Sequence, residues 1–245
     1  MTQTNEDRLF PVLKELKALK DAGKFVTDKT GVKIVEILDY HQTFNPYQPY
    51  LEFPGRKTSE AYVKAELDWY YSMDLSVDFI GEKAKIWKQI ASDKNIVNSN
   101  YGWCIFSEDN GSQYENCFKE LIKNPESRRA IMIYTRPSMH VDYCKDGMND
   151  FICTNNVQCF IRNEELHYFV YMRSNDAVFG FFNDLTFHCH VYQKLLSDIQ
   201  KVYPHVLGSK HGLHWCAASF HIYERHFDML DKMCTYGASN GTETI

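Results

Sequence analysis

The chain has 245 residues, of which 44% are hydrophobic and 24% charged, and its formal net charge is -5. These values are typical of a soluble globular protein with a substantial core, and they count against general nucleic-acid binding, which requires a basic face. The start, MTQTNEDRLF, has acidic residues and no apolar run, so we expect no signal peptide. No stretch reaches the roughly 20 apolar residues of a membrane span.

The eight cysteines are scattered singly and form no CxxC pair. Without a secretory signal, this pattern indicates free thiols in a reducing cytoplasm. Most of them are expected to be small buried hydrophobes, so a reactive cysteine has to be identified from its neighbours.

The first part of the chain predicts an amphipathic helix over residues 6–22, a strand over 32–38 and a proline-containing loop from His41 onward. A second helix over residues 59–73 places Glu66 within its apolar stripe. A carboxylate there is costly unless it is paired, solvated or has a raised pKa. Glu66 is therefore either at the edge of the stripe, reaching water, or a functional acid.

A third helix is predicted over residues 112–123, with Ser112 and Glu115 as a capping box. Strands are predicted over residues 130–134, 155–161 and 166–172, and the last two of these form a hairpin. A long helix over residues 187–203 and a final strand over 219–223 follow. Strands and helices without regular alternation indicate an α+β fold. No repeat or linker divides the chain, so we expect one domain over residues 1–245.

Cys153 stands near the start of a strand pattern, with Gln158 five residues further on. A thiol is only a few per cent ionised at neutral pH, so a nucleophilic cysteine needs cationic or hydrogen-bonding neighbours. Arg128, Arg129 and Arg173 are candidates if the fold brings them near. The alternative is a buried structural cysteine, which position alone does not exclude.

Two short segments, Ser127-Arg128-Arg129 and Arg173-Ser174, have the composition of an anion clamp. The planar guanidinium group of arginine can donate two parallel hydrogen bonds to one phosphate, and a serine hydroxyl can donate another. Each arginine alone also fits a surface charge. Adjacent arginines on a strand point to opposite faces, so both need not reach one phosphate.

We predict no metal site and no nucleotide loop. His188-Cys189-His190 has an i, i+2 spacing that spreads the side chains over different faces of a helix, and no fourth ligand is evident. The H-x-E and P-C-x-x-C signature of zinc deaminases is missing, as are GxGxxG and Walker loops.

Taken together, the ordered motifs resemble the thymidylate synthase superfamily from Asp28 to about His226, and within it the deoxycytidylate hydroxymethylases of T-even-type phages. The motifs that carry the resemblance are DKTG (28–31), AELDWY (65–70), NSNYGW (98–103), SRR (127–129), Cys153 with Gln158, RSND (173–176), GFFND (180–184) and HIYERH (221–226). Chance agreement of so many motifs in order is not credible.

The resemblance implies an α+β thymidylate synthase-like fold with a mixed sheet, one face of which lies at the interface of a homodimer. It implies that Arg128 and Arg129 reach the other subunit's site, while Arg173 and Ser174 serve the nucleotide phosphate in cis. Lys29 takes the place of a phosphate-side arginine, and Gln158 is a further substrate-binding residue. His221 and Tyr223 match the pair that binds the sugar 3′-hydroxyl.

The resemblance also implies that Cys153 is the nucleophile, Glu66 the proton-handling glutamate and Tyr101 a supporting tyrosine. Trp87 and Asp176 fall where folate is held, and methylenetetrahydrofolate is the implied co-substrate, with no metal.

Four departures from the synthases distinguish this chain. Asp184 replaces the asparagine that reads uracil, and a carboxyl group can accept from the cytosine amine while sharing a proton with the ring nitrogen. Thr154 replaces the histidine after the nucleophile, and Lys29 replaces an arginine. The terminal ASNGTETI lacks the apolar tail that closes over folate, which suits hydration better than hydride transfer.

The implied activity is the transfer of a one-carbon unit from methylenetetrahydrofolate to carbon 5 of dCMP with addition of water, in the cytoplasm, without membrane attachment or stable nucleic-acid binding. Rival interpretations are a thymidylate synthase, a hydroxymethylase acting on dUMP or CMP, and a catalytically silent nucleotide- or RNA-binding protein. Asp184 counts against uracil, since a polar mismatch at such a site can discriminate by as much as about 10⁴-fold.

Overall fold

A computed structural model of the protein describes residues 3–27 and 31–237. The helices are α1 (Asn5–Asp21), α2 (Glu60–Ser72), α3 (Ile86–Ile90), α4 (Tyr101–Phe106), α5 (Gln113–Lys123), α6 (Met139–Asp142), α7 (Gly180–Gln200) and α8 (Phe227–Met233). The strands are β1 (Val26–Thr27), β2 (Lys33–Phe44), β3 (Glu52–Phe53), β4 (Arg56–Lys57), β5 (Ile131–Ile133), β6 (Thr154–Arg162), β7 (Glu165–Met172), β8 (Asn175–Asp176) and β9 (Leu207–Tyr223).

A mixed sheet is the centre of the fold, and within the described residues it has seven strands. Six lie in the order β1-β2-β9-β7-β6-β5, and β8 pairs with the end of β9. β9 is antiparallel to β2 and parallel to β7 and β8. Mixed pairing with helices outside a regular alternation confirms the predicted α+β class.

The hairpin β6–β7 turns at Asn163 and Glu164, whose φ angles of 51° and 62° are both left-handed. Two successive left-handed residues are the requirement of a type I′ turn, whose twist matches that of the strands it joins. The predicted hairpin is therefore confirmed, and its register places Thr154 at one end, opposite Met172.

The two faces of the sheet differ in what they contact. Side chains such as Val157, Tyr168 and Trp215 are fully buried and pack in one core with α7. The alternate residues form a half-buried row that we call the open face: Phe160, His167, Phe169, Tyr171, His214 and Cys216. Successive side chains of β7 point to opposite faces of the sheet, so the strand contributes to both rows.

Three predicted boundaries and one predicted cap are wrong. β2 continues to Phe44 because it pairs with β9 along its whole length, so the loop expected from His41 begins later. β9 likewise begins earlier than predicted, at Leu207. α7 begins at Gly180, and the side chain of its N-cap residue, Phe179, makes no capping hydrogen bond. Ser112 has a left-handed φ of 45° and forms no side-chain cap, so the capping box is absent.

None of the helices in the described part of the chain combines the length and the apolar character needed to cross a membrane.

Candidate active site

Cys153 lies directly before β6 and is held there by Arg173. The Arg173 backbone amide donates to the Cys153 carbonyl at 2.9 Å, and its guanidinium donates to the Ile152 carbonyl at 2.9 Å and the Phe151 carbonyl at 2.5 Å. The same guanidinium stands 3.7 Å from the thiol sulfur. Arg173 therefore fixes the segment that carries the cysteine and supplies a cation beside it.

The thiol of Cys153 is half-buried, whereas Cys104, Cys117, Cys159 and Cys189 are fully buried. Burial raises the pKa of the Cys153 thiol to about 11, while the charge of Arg173 opposes that rise. The free protein therefore holds the thiol protonated at neutral pH, and a proton acceptor is needed for attack.

Glu66 lies on α2 with only 5% of its surface exposed, so the interpretation that it reaches water from a stripe edge is wrong. The Tyr62 hydroxyl donates to Glu66 Oε1 at 2.7 Å, and the Trp87 indole donates to that hydroxyl at 2.9 Å. Burial raises the pKa of Glu66 to about 7, although the Tyr62 hydrogen bond opposes the rise. Glu66 can therefore both hold and release a proton at neutral pH.

Asp184 lies in the second turn of α7, close enough to Glu66 and Cys153 for its charge to affect theirs. The Asn175 amide donates to Asp184 Oδ2 at 2.9 Å, and the Trp215 indole donates to Asn175 Oδ1 at 3.1 Å. Burial, followed by the negative charge of Glu66, raises the pKa of Asp184 well above its ordinary value. Two carboxyl groups close enough to repel each other favour the state in which one is neutral.

Tyr101, the first residue of α4, is buried and completes the group. Its ring stacks on Tyr70 with centroids 5.5 Å apart. Burial raises the pKa of Tyr101, and the charges of Asp184 and Cys153 raise it further, so the phenol lies beside both. Gly102 permits this packing, because a Cβ there would overlap the Tyr70 carbonyl group. We call Cys153, Glu66, Asp184 and Tyr101 the catalytic group.

The end of β9 brings His221 and Tyr223 to the edge of the same region. Asp176 of β8 pairs with His221 in the sheet, and the His221 and Tyr223 rings meet edge to face at 5.0 Å. His221 is buried, which lowers its pKa, while the Asp176 charge opposes this. Ser174 is half-buried between Arg173 and Asn175. His221, Tyr223 and Ser174 thus place side chains that can form hydrogen bonds at this end of the sheet.

Trp87 and Asp176 also take part in local structure. The Trp87 ring packs edge-on against Trp69 at 4.8 Å. Asp176 Oδ1 accepts from the amides of Val178 and Phe179, at 2.8 and 3.2 Å, and so shapes the entrance to α7. Its second oxygen lies 3.9 Å from His226 Nδ1. Asp176 thus has one oxygen committed to the fold and one directed toward an ionisable group.

Arg128, Arg129 and Gln158 form a second group away from the core. Both arginines are exposed, and Arg129 pairs with Glu120 at 3.1 Å. The Gln158 amide donates to the Arg128 carbonyl at 2.8 Å. The contacts of these three residues are thus with one another and with Glu120, rather than with the catalytic group. Lys29 and the terminal ASNGTETI segment lie outside the described residues.

His188 and His190 lie in different environments, as their spacing predicts: His188 is fully buried and contacts the Tyr168 hydroxyl at 3.2 Å, whereas His190 is exposed. Within residues 3–27 and 31–237, no cluster of three or more His, Cys, Asp or Glu side chains is arranged to hold a metal ion.

Four residues of the site were not found from the sequence. Tyr62 stands one turn before Glu66, and that i, i+4 spacing was an available signal. Asn175 lies within the RSND motif, but its partner Trp215 is distant in the chain. Asp150 is buried and accepts from the Asn98 amide at 2.7 Å and the Ser99 amide at 2.8 Å. It joins the loop before Tyr101 to the segment before Cys153.

This arrangement defines the class: the chain belongs to the thymidylate synthase family, whose family model matches residues 12–240. Among its relatives, the deoxycytidylate 5-hydroxymethyltransferases of Enterobacteria phages T6 and T4 are each 48% identical to it over 224 residues, which is 91% of this chain and 89% of theirs. The thymidylate synthase of Buchnera aphidicola subsp. Acyrthosiphon pisum (strain APS) is 26% identical over 226 residues, covering 90% of this chain and 81% of that protein.

Proposed function

We propose that the chain is a deoxycytidylate 5-hydroxymethyltransferase, which converts dCMP, methylenetetrahydrofolate and water into 5-hydroxymethyl-dCMP and tetrahydrofolate. The observation that carries the proposal is Asp184, a carboxyl group whose pKa is raised by burial and by Glu66 and whose charge affects the Cys153 thiol. The identity of 48% with named hydroxymethyltransferases supports the same activity.

Asp184 suits cytosine because of the hydrogen-bonding pattern of that base. Cytosine presents an acceptor nitrogen beside an amino donor, whereas uracil presents a ring N–H beside a carbonyl. A neutral carboxyl group has one O–H donor and one acceptor oxygen, so it pairs with both cytosine groups. Burial and the charge of Glu66 raise the pKa of Asp184 and so favour this neutral form, as elsewhere for buried catalytic acids.

Cys153 acts as the nucleophile that adds to carbon 6 of the base. Its sulfur forms a bond to carbon 6 and loses its proton, which makes carbon 5 electron-rich, and it departs at the end of the reaction. Arg173, 3.7 Å from the sulfur, stabilises the thiolate as it forms. Bound methylenetetrahydrofolate supplies the one-carbon unit.

Glu66 handles the protons. Its pKa of about 7 lets it accept a proton in one step and return it in another at neutral pH. Tyr62 holds its Oε1, so the other oxygen is the one available to substrate or water. Tyr101, beside Cys153 and Asp184, supports this exchange as a neutral donor.

The nucleotide is held by residues around the catalytic group. Arg173 and Ser174 bind the phosphate, with Lys29 as a further candidate, and His221 with Tyr223 binds the sugar 3′-hydroxyl. Gln158, which donates to the Arg128 carbonyl here, is a further substrate-binding candidate. Arg128 and Arg129 serve the site of a second subunit. Their exposure agrees with a role in trans.

The open face is the surface on which a homodimer forms. It is a row of half-buried aromatic and histidine side chains on the outer side of the sheet, among them Phe169 and His214, whose rings stack at 4.0 Å. Aromatic residues are enriched in protein interfaces. Free cysteines throughout the described residues agree with a reducing compartment, so we place the enzyme in the cytoplasm.

Trp87 and Asp176 are the residues that would hold the folate. The chain fits such a group, because exposed apolar side chains, Phe79 at 48% and Ile86 at 51%, lie near Trp87 in the chain. Aromatic and aliphatic surfaces bind flat rings, and Asp176 Oδ2, which lies 3.9 Å from His226 Nδ1, can also accept from a ring N–H.

The test is mass spectrometry of products after incubation with methylenetetrahydrofolate and dCMP, dUMP or CMP. Addition of CH₂O to dCMP alone is the expected result. Addition of CH₂ to dUMP with formation of dihydrofolate would identify a synthase, and modification of CMP would identify a ribonucleotide enzyme. Cys153→Ser is the control, and it should bind dCMP and form no product. If the wild-type protein also binds dCMP and forms no product, the chain is a catalytically silent nucleotide-binding protein.

A further inference from the structure

Asn175 has one orientation in this structure, and Trp215 determines it. An indole N–H can only donate, so the atom of Asn175 that faces it at 3.1 Å has to be the carbonyl oxygen. The amide nitrogen of Asn175 is thereby directed at Asp184 Oδ2, 2.9 Å away. Trp215 is fully buried and Asn175 is 2% exposed, so water does not compete for either bond.

The pairing of strands keeps this arrangement in place. Asn175 belongs to β8 and pairs with Phe220 of β9, the strand that also carries Trp215. The Trp215 ring packs edge-on against Phe181 at 5.1 Å and Phe44 at 6.5 Å. A buried amide fixed on both sides cannot exchange its oxygen and nitrogen without leaving two polar groups unsatisfied.

An oxygen that accepts an N–H bond is the less favourable place for a proton. Oδ2 of Asp184 accepts from Asn175, so the proton of the neutral carboxyl group belongs on Oδ1. The group then has a defined polarity, with a donor at Oδ1 and an acceptor at Oδ2.

We propose that Asn175 is a positioning residue for base selection: held by Trp215, it makes Asp184 donate from Oδ1 and accept at Oδ2, which matches the ring nitrogen and amino group of cytosine and opposes uracil. This inference rests on the proposed function. The proposal places ring position 3 opposite Asp184 Oδ1 and the exocyclic group opposite Oδ2. In that placement uracil would require the proton on Oδ2, the oxygen that already accepts from the Asn175 amide.

The test measures the affinities of purified variants for dCMP and dUMP by equilibrium dialysis without folate, and the readout is the ratio of the two. Trp215→Phe keeps an aromatic ring but frees the Asn175 amide, and the ratio should fall about tenfold. Asn175→Asp removes the N–H donor, so that Asp184 can place its proton on Oδ2. Its ratio should fall about 100-fold, with dUMP binding gained.

Phe44→Leu is the matched control, because it disturbs the packing around Trp215 without touching a hydrogen bond. It should lower the melting temperature and leave the dCMP to dUMP ratio unchanged. A purely structural role would weaken the binding of dCMP and dUMP by the same factor. If Trp215→Phe and Asn175→Asp have that effect, the inference is overturned.

A crystal structure of the wild-type protein with dCMP provides a test without variants. The ring nitrogen should lie opposite Asp184 Oδ1, with the Asn175 amide still on Oδ2; the reverse placement would overturn the inference. The proposed function fails separately: wild-type protein that prefers dCMP but forms no hydroxymethylated product contradicts the activity alone. If the wild-type protein is active and its variants keep the dCMP to dUMP affinity ratio, only the role of Asn175 is contradicted.

Discussion

The Tyr62 hydroxyl donates to Glu66 Oε1 at 2.7 Å across one turn of α2, and it is itself held by the Trp87 indole. The bond stabilises the ionised form of a carboxyl group that burial would otherwise keep neutral, since it lowers a pKa that burial raises to about 7. The ionisation of Glu66 is thus set by two opposing causes, and each can be altered separately.

Tyr62→Phe should raise the pKa of Glu66 by about one unit, because it removes a hydrogen bond to the carboxylate. The pKa is measured by ¹³C NMR titration of the glutamate carboxyl groups, which requires no assumption about activity. Tyr71→Phe is the control, since Tyr71 lies on the same helix and stacks on Phe106. If the pKa of Glu66 is unchanged in Tyr62→Phe, the Tyr62 hydroxyl does not affect it.

Glu66→Gln should stabilise the fold at alkaline pH. A carboxyl group whose folded pKa is raised favours the folded state below its unfolded pKa of 4.5, and this stability is lost as the pH rises through about 7. Replacing the acid by an amide removes that loss, which amounts to about 3 kcal/mol at most. Urea unfolding should show a much larger gain at pH 8 than at pH 5, and an equal gain at both would refute this origin.

Asp150→Ala should destabilise the protein by roughly 3 kcal/mol, because it leaves the amides of Asn98 and Ser99 and the Ser99 hydroxyl without their buried acceptor. Asp150→Asn keeps an acceptor oxygen and should cost less than half as much. Urea unfolding compares the two variants. Equal losses in both would mean that charge, rather than hydrogen bonding, is what Asp150 contributes.

His188→Gln should make the protein less sensitive to acid. Burial lowers the pKa of His188 to about 3, so its contribution to stability is present above the unfolded pKa of 6.5 and is lost as the pH falls toward 3. The loss is roughly 5 kcal/mol at most, and the variant should not show it. Thermal unfolding from pH 7 to pH 4 tests this, with the exposed His190→Gln as comparison.

Much of the catalytic group could be predicted from the sequence because its members lie in short motifs with local patterns. Glu66 was visible as an acid within an apolar helical stripe, and its burial confirms that reading. The hairpin of β6 and β7 was visible from strand periodicity. The roles assigned to individual residues, by contrast, came from family resemblance and remain predictions.

What the sequence could not provide depends on contacts between distant segments. The bond from Trp215 to Asn175 joins residues 40 positions apart and exists only because β8 pairs with β9. The first two turns of α7 were missed because the helix begins without a side-chain cap and is stabilised instead by burial of Phe181, Phe182 and Leu185. Tertiary packing, rather than local preference, determines both features.

Gly102 carries no functional group, yet the position of Tyr101 depends on it, since α4 can approach Tyr70 only where no Cβ intervenes. In a saturation mutagenesis experiment scored by growth or product, nearly every substitution at 102 would therefore be scored as a loss of activity. A map of mutational tolerance would mark this glycine as strongly as the nucleophile. Sensitivity to substitution in this protein is thus a measure of where space is scarce as well as of where bonds are made and broken.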